Sequence, residues 1–159
     1  KINKKLRSSW RYYIYSSFKQ LLIVKKIMNL VVKETKDIIL FPCDAQLIVQ
    51  VLVNLLDNAF KHTPDASKVM LKAFVRNNNI IFQVIDNGKG IEIKQLNHIF
   101  DDFFTTSLDN GDHKRGIGLG LAICKAIVEA HKGEIKAFNN DLGGATFELS
   151  LPLEEENNE

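Results

Sequence analysis

Covalent cross-links and rigid kinks are scarce in this chain, which holds two cysteines, three prolines and one tryptophan. Cys43 and Cys124 lie far apart, in neither a CxxC pair nor a metal-ligand spacing, and each has apolar neighbours. They read as buried free thiols in a reducing compartment, and a disulfide-stapled scaffold is excluded. No apolar run approaches the roughly 18 residues that a membrane-spanning helix needs. The first residues also lack the order of charge, apolar stretch and small residues of a signal peptide, so a soluble, cytoplasmic domain is expected. The GxxxxGK[ST], HExxH and GxSxG patterns are missing, and no GxGxxG follows a strand, which sets aside P-loop, zincin, serine-hydrolase and Rossmann chemistry. His62, His98, His113 and His131 are scattered without ligand spacing, so a metal held by His or Cys is not expected. Basic residues are not interleaved with stacking aromatics, and no nucleic-acid partner is expected.

What is present is one domain's worth of chain: 159 residues, 45% apolar and 25% charged. A chain of that length buries roughly 70% of its unfolded surface around a single core. Charge is unevenly spread, with nine basic residues ahead of the first acidic one, Glu34, and four Glu in the closing EEENNE. The remainder carries an excess of positive charge that tolerates a polyanionic ligand. We divide the chain into a leading helix and connecting segment (1–35), a main domain (36–153) and an acidic tail (154–159).

From Trp10, bulky residues recur at Tyr13, Ile14, Phe18, Leu21 and Leu22, a helical stripe preceded by Ser8 and Ser9 as possible caps. KDIILF (36–41) is strand-like and is stopped by Pro42. Asp44 caps a helix running to about Thr63, before Pro64. Strands are expected over 68–76 and 79–86, joined by a turn at Asn77 to Asn79, followed by a short helix over 92–99. The stretch 101–117 has little periodicity. A helix then runs from Gly118 to Lys132, with Gly133 as its stop signal, and strands at 134–139 and 145–151 flank a Gly143-Gly144 turn. This order favours an α+β fold, a two-layer sandwich whose sheet is covered on one face by helices.

Three places carry chemistry. On the helix from Asp44, Asn54, Asn58 and Lys61 share a strip roughly 60° wide at about 100° per residue. Buried amides need partners, so the strip reads either as internal hydrogen bonding or as hard neutral oxygens for Mg²⁺ with a lysine facing phosphate. In IIFQVIDNGKGI, alternation puts Asp86 on the face of Phe82 and Val84. An inward carboxylate needs a donor, and an exocyclic amino group such as adenine's would serve; a plain loop is the competing reading. Gly116, Gly118 and Gly120 stand where a loop enters a helix, a ready anion site. The loop before them, with Phe100, Phe103 and Phe104, reads as a mobile cover. All nine glycines lie between positions 88 and 144, which concentrates backbone freedom there.

Taken in order, NLLDNAFKHTP, DNGKGI, IFDDFF, GIGLGL and GGATF resemble the N, G1, F, G2 and G3 boxes of the ATP-binding domain of sensor histidine kinases, which share the Bergerat fold of gyrase, Hsp90 and MutL. The resemblance covers about residues 36–153 and is strongest to the potassium-responsive branch. It implies a mixed sheet and the cofactors ATP and Mg²⁺. It also implies Asn58 as metal ligand, Asn54 and Lys61 near the phosphates in catalytic roles, and His62 close to the nucleotide. Asp86 would take the adenine amino group, with Gly88, Gly90 and Ile91 lining the base and Thr146 behind it. Phe104 would belong to the lid, and Gly116, Gly118, Leu119, Gly120 and Leu121 would surround the phosphates. The implied activity is transfer of the γ-phosphoryl group to a histidine on a dimerisation domain of the same protein, and from there to a response regulator; the parent would be a membrane-anchored homodimer.

The sequence departs from that pattern at Ile117, where Thr or Ser is frequent, at Thr105, where an aromatic and an Arg often follow, and in having no phosphoacceptor motif around any histidine. Two other readings stay open: an ATPase or conformational clamp on the same fold, and a regulatory module that binds nucleotide or a partner without catalysis. The resembling ATPases carry Glu at position 54 to orient water, and an amide cannot take a proton, so Asn54 favours the kinase.

Overall fold

The computed structural model describes residues 29–33, 41–64, 68–102 and 119–153. The helix that the apolar spacing predicts from Trp10, most of the loop before Leu119 and the acidic tail lie outside these residues. The first helix, α1 (Ala45–His62), starts where its chemistry says it should: Asp44 Oδ1 accepts the backbone N–H groups of Gln46 at 2.9 Å and Leu47 at 3.1 Å. Such a cap is worth about 1 kcal/mol. At its other end the Thr63 hydroxyl donates to the Ala59 carbonyl, and Pro64 follows.

Strands β1 (Asn29–Lys33), β2 (Lys68–Arg76), β3 (Asn79–Asp86), β4 (Glu134–Asn139) and β5 (Ala145–Pro152) form one sheet in the order β1-β2-β3-β5-β4. β1 runs parallel to β2 and every other pair is antiparallel. Asn77 and Asn78 both have positive φ, 51° and 57°, the backbone of a two-residue turn that Asn tolerates and that matches strand twist. Helices α2 (Ile93–Leu96) and α3 (Gly120–Ala130) are the other helices among the described residues. Ile80, Phe82 and Val84 of β3 and Phe147, Leu149 and Leu151 of β5 form one core with Ile48, Leu52, Leu55, Leu56 and Ala59 of α1 and Cys124 and Val128 of α3. The architecture is therefore the expected α+β two-layer sandwich with a mixed sheet.

Four expectations change. Residues 29–33, placed by sequence in the segment leading to the domain, are a sheet strand, so the sheet begins before position 36. Of KDIILF, 36–40 fall outside the described residues, and Phe41 lies in no strand but sets its ring 6.1 Å from Phe82. The short helix spans 93–96 rather than 92–99. Phe100 is no part of a cover: it packs on the core, edge-on to Phe147 with ring centres 6.3 Å apart.

The end of α3 is a Schellman motif, with Lys132 N–H on Glu129 O and Gly133 N–H on Val128 O. Lys132, not Gly133, takes the left-handed turn, at φ 56°. Glycine is needed at 133 for another reason, because a Cβ there would lie 2.4 Å from the Ser150 carbonyl. His131 then ties the two long helices. Its Nε2 faces the Asp44 N–H at 3.0 Å and must accept, so its Nδ1 carries the proton and donates to Ile127 O at 2.7 Å.

On the sheet face away from the helices, Glu148 is buried. It takes hydrogen bonds from Arg76 and from Gln83 at 2.6 Å, and an ion pair from Lys136 at 3.2 Å. Burial pushes its carboxyl up, but the Gln83, Arg76 and Lys136 bonds outweigh that and hold it below the ordinary glutamate value.

Candidate functional site

Asp86 ends β3 on the same face as Phe82 and Val84 and is 5% exposed. Its Oδ1 accepts two backbone N–H groups, Gly88 at 2.8 Å and Ala145 at 3.1 Å. Its Oδ2 accepts none among the described residues. A carboxylate this buried has one oxygen committed to the fold and the other available to a ligand's donor.

The backbone around it is drawn in tightly. A Cβ on Gly144 would come within 2.2 Å of the Asp86 carbonyl oxygen and 2.6 Å of Oδ1. A Cβ on Gly88 would lie 2.9 Å from the carbonyl of His62, so the end of α1 abuts the turn after β3. Gly90 has φ +72°, which glycine adopts without strain. Two neighbouring amides fasten these pieces. Asn139 Oδ1 accepts from Ile91 N at 2.7 Å while its Nδ2 donates to Ile91 O at 2.8 Å. Asn140 Nδ2 donates to the carbonyls of Asp86 and Ala145, both at 3.0 Å, and its Oδ1 accepts from Leu142 N and Gly144 N.

The structure thus brings Asp86, Gly88, Gly90, Ile91 and His62 into one neighbourhood. Thr146 is adjacent but pairs with Ile85, so the register points it to the opposite face from Asp86; its hydroxyl accepts from Asn140 at 3.2 Å. Burial lowers the pKa of His62, and the Lys89 charge adds to that, so a neutral imidazole faces this loop at pH 7.

Asn54 and Asn58 are half-buried on α1, and Lys61 is exposed. Lys61 pairs with Asp57 one turn back. Asn54 hydrogen-bonds the Cys124 thiol of α3, and that thiol also lies 3.8 Å from the Val51 carbonyl, to which it donates. Burial pushes Cys124 up to about 11. Cys43, expected to be buried, is only half-buried. At the start of α3, Leu119 occupies the cap position with no side-chain bond to the first N–H groups, and Gly120 opens onto free space. Leu121, one residue on, packs against the core. The helix dipole gives this end an attraction for anions. Gly116, Gly118, Phe103 and Phe104 lie outside the described residues. Among those described, no group of three or more His, Cys, Asp or Glu could hold a metal ion, and no helix is long and apolar enough to cross a membrane.

Asn139, Asn140 and Lys89 are missing from the sequence-level site. An Asn-Asn pair ahead of Asp-Leu-Gly-Gly reads only as a turn, and nothing local reveals which distant backbone the amides grip.

The family model described as "Histidine kinase-, DNA gyrase B-, and HSP90-like ATPase" matches residues 43–155. Sensor protein KdpD of Clostridium acetobutylicum is 47% identical over 119 residues, covering 75% of this chain and 13% of that protein. Sensor protein KdpD of Escherichia coli is 42% identical over 109 residues, covering 69% of this chain and 12% of that protein. The chain spans about an eighth of the length of these relatives. In structure, it is similar to the nucleotide-free catalytic domain of histidine kinase ThkA, with TM-score 0.76, 26% identity and 91% of each chain covered.

Proposed function

The chain belongs to the family of histidine kinase-, DNA gyrase B- and HSP90-like ATPases, and on that premise we propose that it binds ATP with Mg²⁺ and delivers the γ-phosphoryl group to a histidine on a dimerisation domain of the same protein. The observation that carries this reading is the split carboxylate of Asp86, one oxygen fixed by Gly88 and Ala145 and the other without a donor among the described residues. That second oxygen takes the exocyclic amino group of adenine, while Gly88, Gly90 and Ile91 line the base.

Asn58 offers a neutral amide oxygen, a hard ligand of the kind that suits Mg²⁺ when phosphate oxygens complete the coordination. Bound Mg²⁺ would neutralise charge along the triphosphate. Asn54 and Lys61 act near the phosphates, with Lys61 exchanging its Asp57 partner for a phosphate oxygen. Gly116, Gly118, Leu119, Gly120 and Leu121 surround the phosphates, the start of α3 contributing the positive end of its dipole, and Phe104 belongs to the cover. In the transfer, a P–N bond to the acceptor imidazole forms as the β,γ-bridging P–O bond breaks; ADP leaves and the imidazole sheds its N–H proton. The acceptor's own lone pair is the nucleophile, so no strong base is required of this domain. Asn54, bonded to a thiol and unable to accept a proton, supports transfer over hydrolysis.

Downstream, a response regulator receives the phosphoryl group; the domain is cytoplasmic, and the parent is a membrane-anchored homodimer. The catalytic unit extends from Asn29 at the latest to Leu153. Incubating the chain with labelled Mg-ATP and a two-helix histidine domain tests the proposal: acid-labile, base-stable label on the histidine supports it. Binding of ATP with no label, even when the two domains are tethered, overturns it in favour of a regulatory module. Steady phosphate release without label overturns it in favour of an ATPase.

A further inference from the structure

Asn139 and Asp86 sit two strands apart on one face of the sheet, with Ala145 between them. Ala145 pairs with Asn139 on one side and donates its N–H to Asp86 on the other at 3.1 Å. From this row the Asn139 amide reaches the chain after the Asp86 turn and consumes both backbone groups of Ile91, accepting its N–H at 2.7 Å and donating to its carbonyl at 2.8 Å. A single side chain therefore does for Ile91 what a neighbouring strand would do. The contact is close enough to dictate its surroundings, since a Cβ on Gly90 would lie 2.8 Å from Asn139 Oδ1.

We propose that Asn139 is a positioning residue of the base pocket, fixing the Gly88–Ile91 wall relative to Asp86 without touching nucleotide. The proposal rests on the reading that Asp86 takes adenine. Only an amide has a donor and an acceptor side by side at this length. Aspartate keeps the shape but sets a second acceptor against the Ile91 carbonyl, and alanine removes both bonds. Either change frees the Ile91 end of the segment that starts at Gly88, whose turn has a glycine at φ +72°. The base then loses a wall while the phosphate end, on α1 and α3, is untouched.

The test separates these ends of the ligand. Calorimetry on the whole chain compares ATP with inorganic tripolyphosphate, both with Mg²⁺, well below each variant's unfolding midpoint. Asn139→Asp is expected to weaken ATP binding about tenfold and to leave tripolyphosphate unchanged. Asn139→Ser supplies the same comparison should the aspartate variant fail to fold. Asn79→Ala is the structural control, because its amide donates to Asn77 O in a remote turn; it lowers the midpoint and leaves the ATP to tripolyphosphate ratio alone. If Asp86→Asn weakens ATP while the Asn139 variants weaken both ligands equally, or neither, Asn139 is not a positioning residue and the adenine reading stands. If Asp86→Asn leaves ATP affinity unchanged, the adenine reading falls and this inference falls with it.

Discussion

Asp86 and Ala145, 59 residues apart in sequence, are joined by a hydrogen bond from the Ala145 N–H to Asp86 Oδ1 at 3.1 Å. With the Gly88 N–H on the same oxygen at 2.8 Å, the carboxylate cannot turn over. That rigidity gives the Asp86→Asn variant a definite orientation. Its amide oxygen must stay with the two N–H donors, so its NH₂ occupies the Oδ2 position and meets the amino group of adenine donor to donor. ATP affinity should fall between about fivefold and a hundredfold, the range for a buried partner lost. Inosine triphosphate, which has an acceptor at that position, should lose less or gain. Calorimetry with both nucleotides decides, and unchanged ATP affinity rules out the assignment.

Gly144 is the narrowest point of the same site. Alanine there would bring its methyl group 2.2 Å from the Asp86 carbonyl and 2.6 Å from Oδ1, and neither is a flexible chain end that could swing aside. Gly144→Ala should cost about 1–3 kcal/mol in urea unfolding and weaken ATP binding as well. Gly143→Ala is a telling contrast, since a Cβ there meets nothing within 4 Å and the cost is limited to its φ of +86°. Equal loss of nucleotide affinity in the two variants would contradict the close-approach account.

What could be read in advance follows from how local each cause is. Asp44 and Pro64 bracket α1 within a residue of its true limits because a cap and a breaker act on their own turn. β2 and β3 appear at their full lengths because alternation and an Asn turn are short-range signals. β1 escapes because its partner, β2, lies across α1, and parallel pairing leaves no mark on Asn-Leu-Val-Val-Lys. Phe100 looks like part of a cover because periodicity stops near it, yet Phe147 claims its ring. Asp86 is legible as an inward carboxylate. The amides of Asn139 and Asn140 that build its pocket are not, since each grips backbone decided elsewhere in the fold.

Glu148 makes the protein sensitive to acid. Its folded carboxyl titrates below the ordinary value of 4.5, so at low pH the unfolded chain binds the proton first. Its contribution is complete above the unfolded pKa and is lost as pH falls through the folded one. Urea unfolding from pH 6 down to pH 3 should show a steeper decline in the wild type than in Glu148→Gln, which keeps the shape without the charge. Parallel declines would mean the Arg76, Gln83 and Lys136 contacts do not favour the ionised form.

His131 substitutes for a missing half of a capping box. The N–H of an N-cap residue is commonly satisfied by a Glu or Gln three positions on, but that position in α1 is Leu47, and the His131 ring from α3 takes the Asp44 N–H instead. His131→Ala removes that acceptor and the donor to Ile127, at a cost of about 1–2 kcal/mol. Replacing Leu47, which is partly exposed, with Glu should return part of the loss. No recovery in the His131→Ala, Leu47→Glu double variant would show that the ring matters for packing, not for the cap.

Cys124 sets the alkaline limit. The thiol is buried between α3 and α1 and titrates near 11 instead of 9.0, burial outweighing the Asn54 bond that favours the thiolate. As pH rises past 9.0 the unfolded chain releases a proton that the folded chain keeps, so stability falls with pH up to about 11. The two-unit shift corresponds to a full loss of roughly 3 kcal/mol. Cys43 is also pushed up, by burial and then by the Asp44 charge, so the comparison is made in a Cys43→Ser background. There, Cys124→Ala should lower stability at pH 7 by a constant amount and flatten the decline between pH 8.5 and 10.5 measured in urea. Iodoacetamide should label Cys124 only after unfolding. Rapid labelling of the native chain at pH 8 would place the thiol at the surface and remove the basis for the alkaline slope.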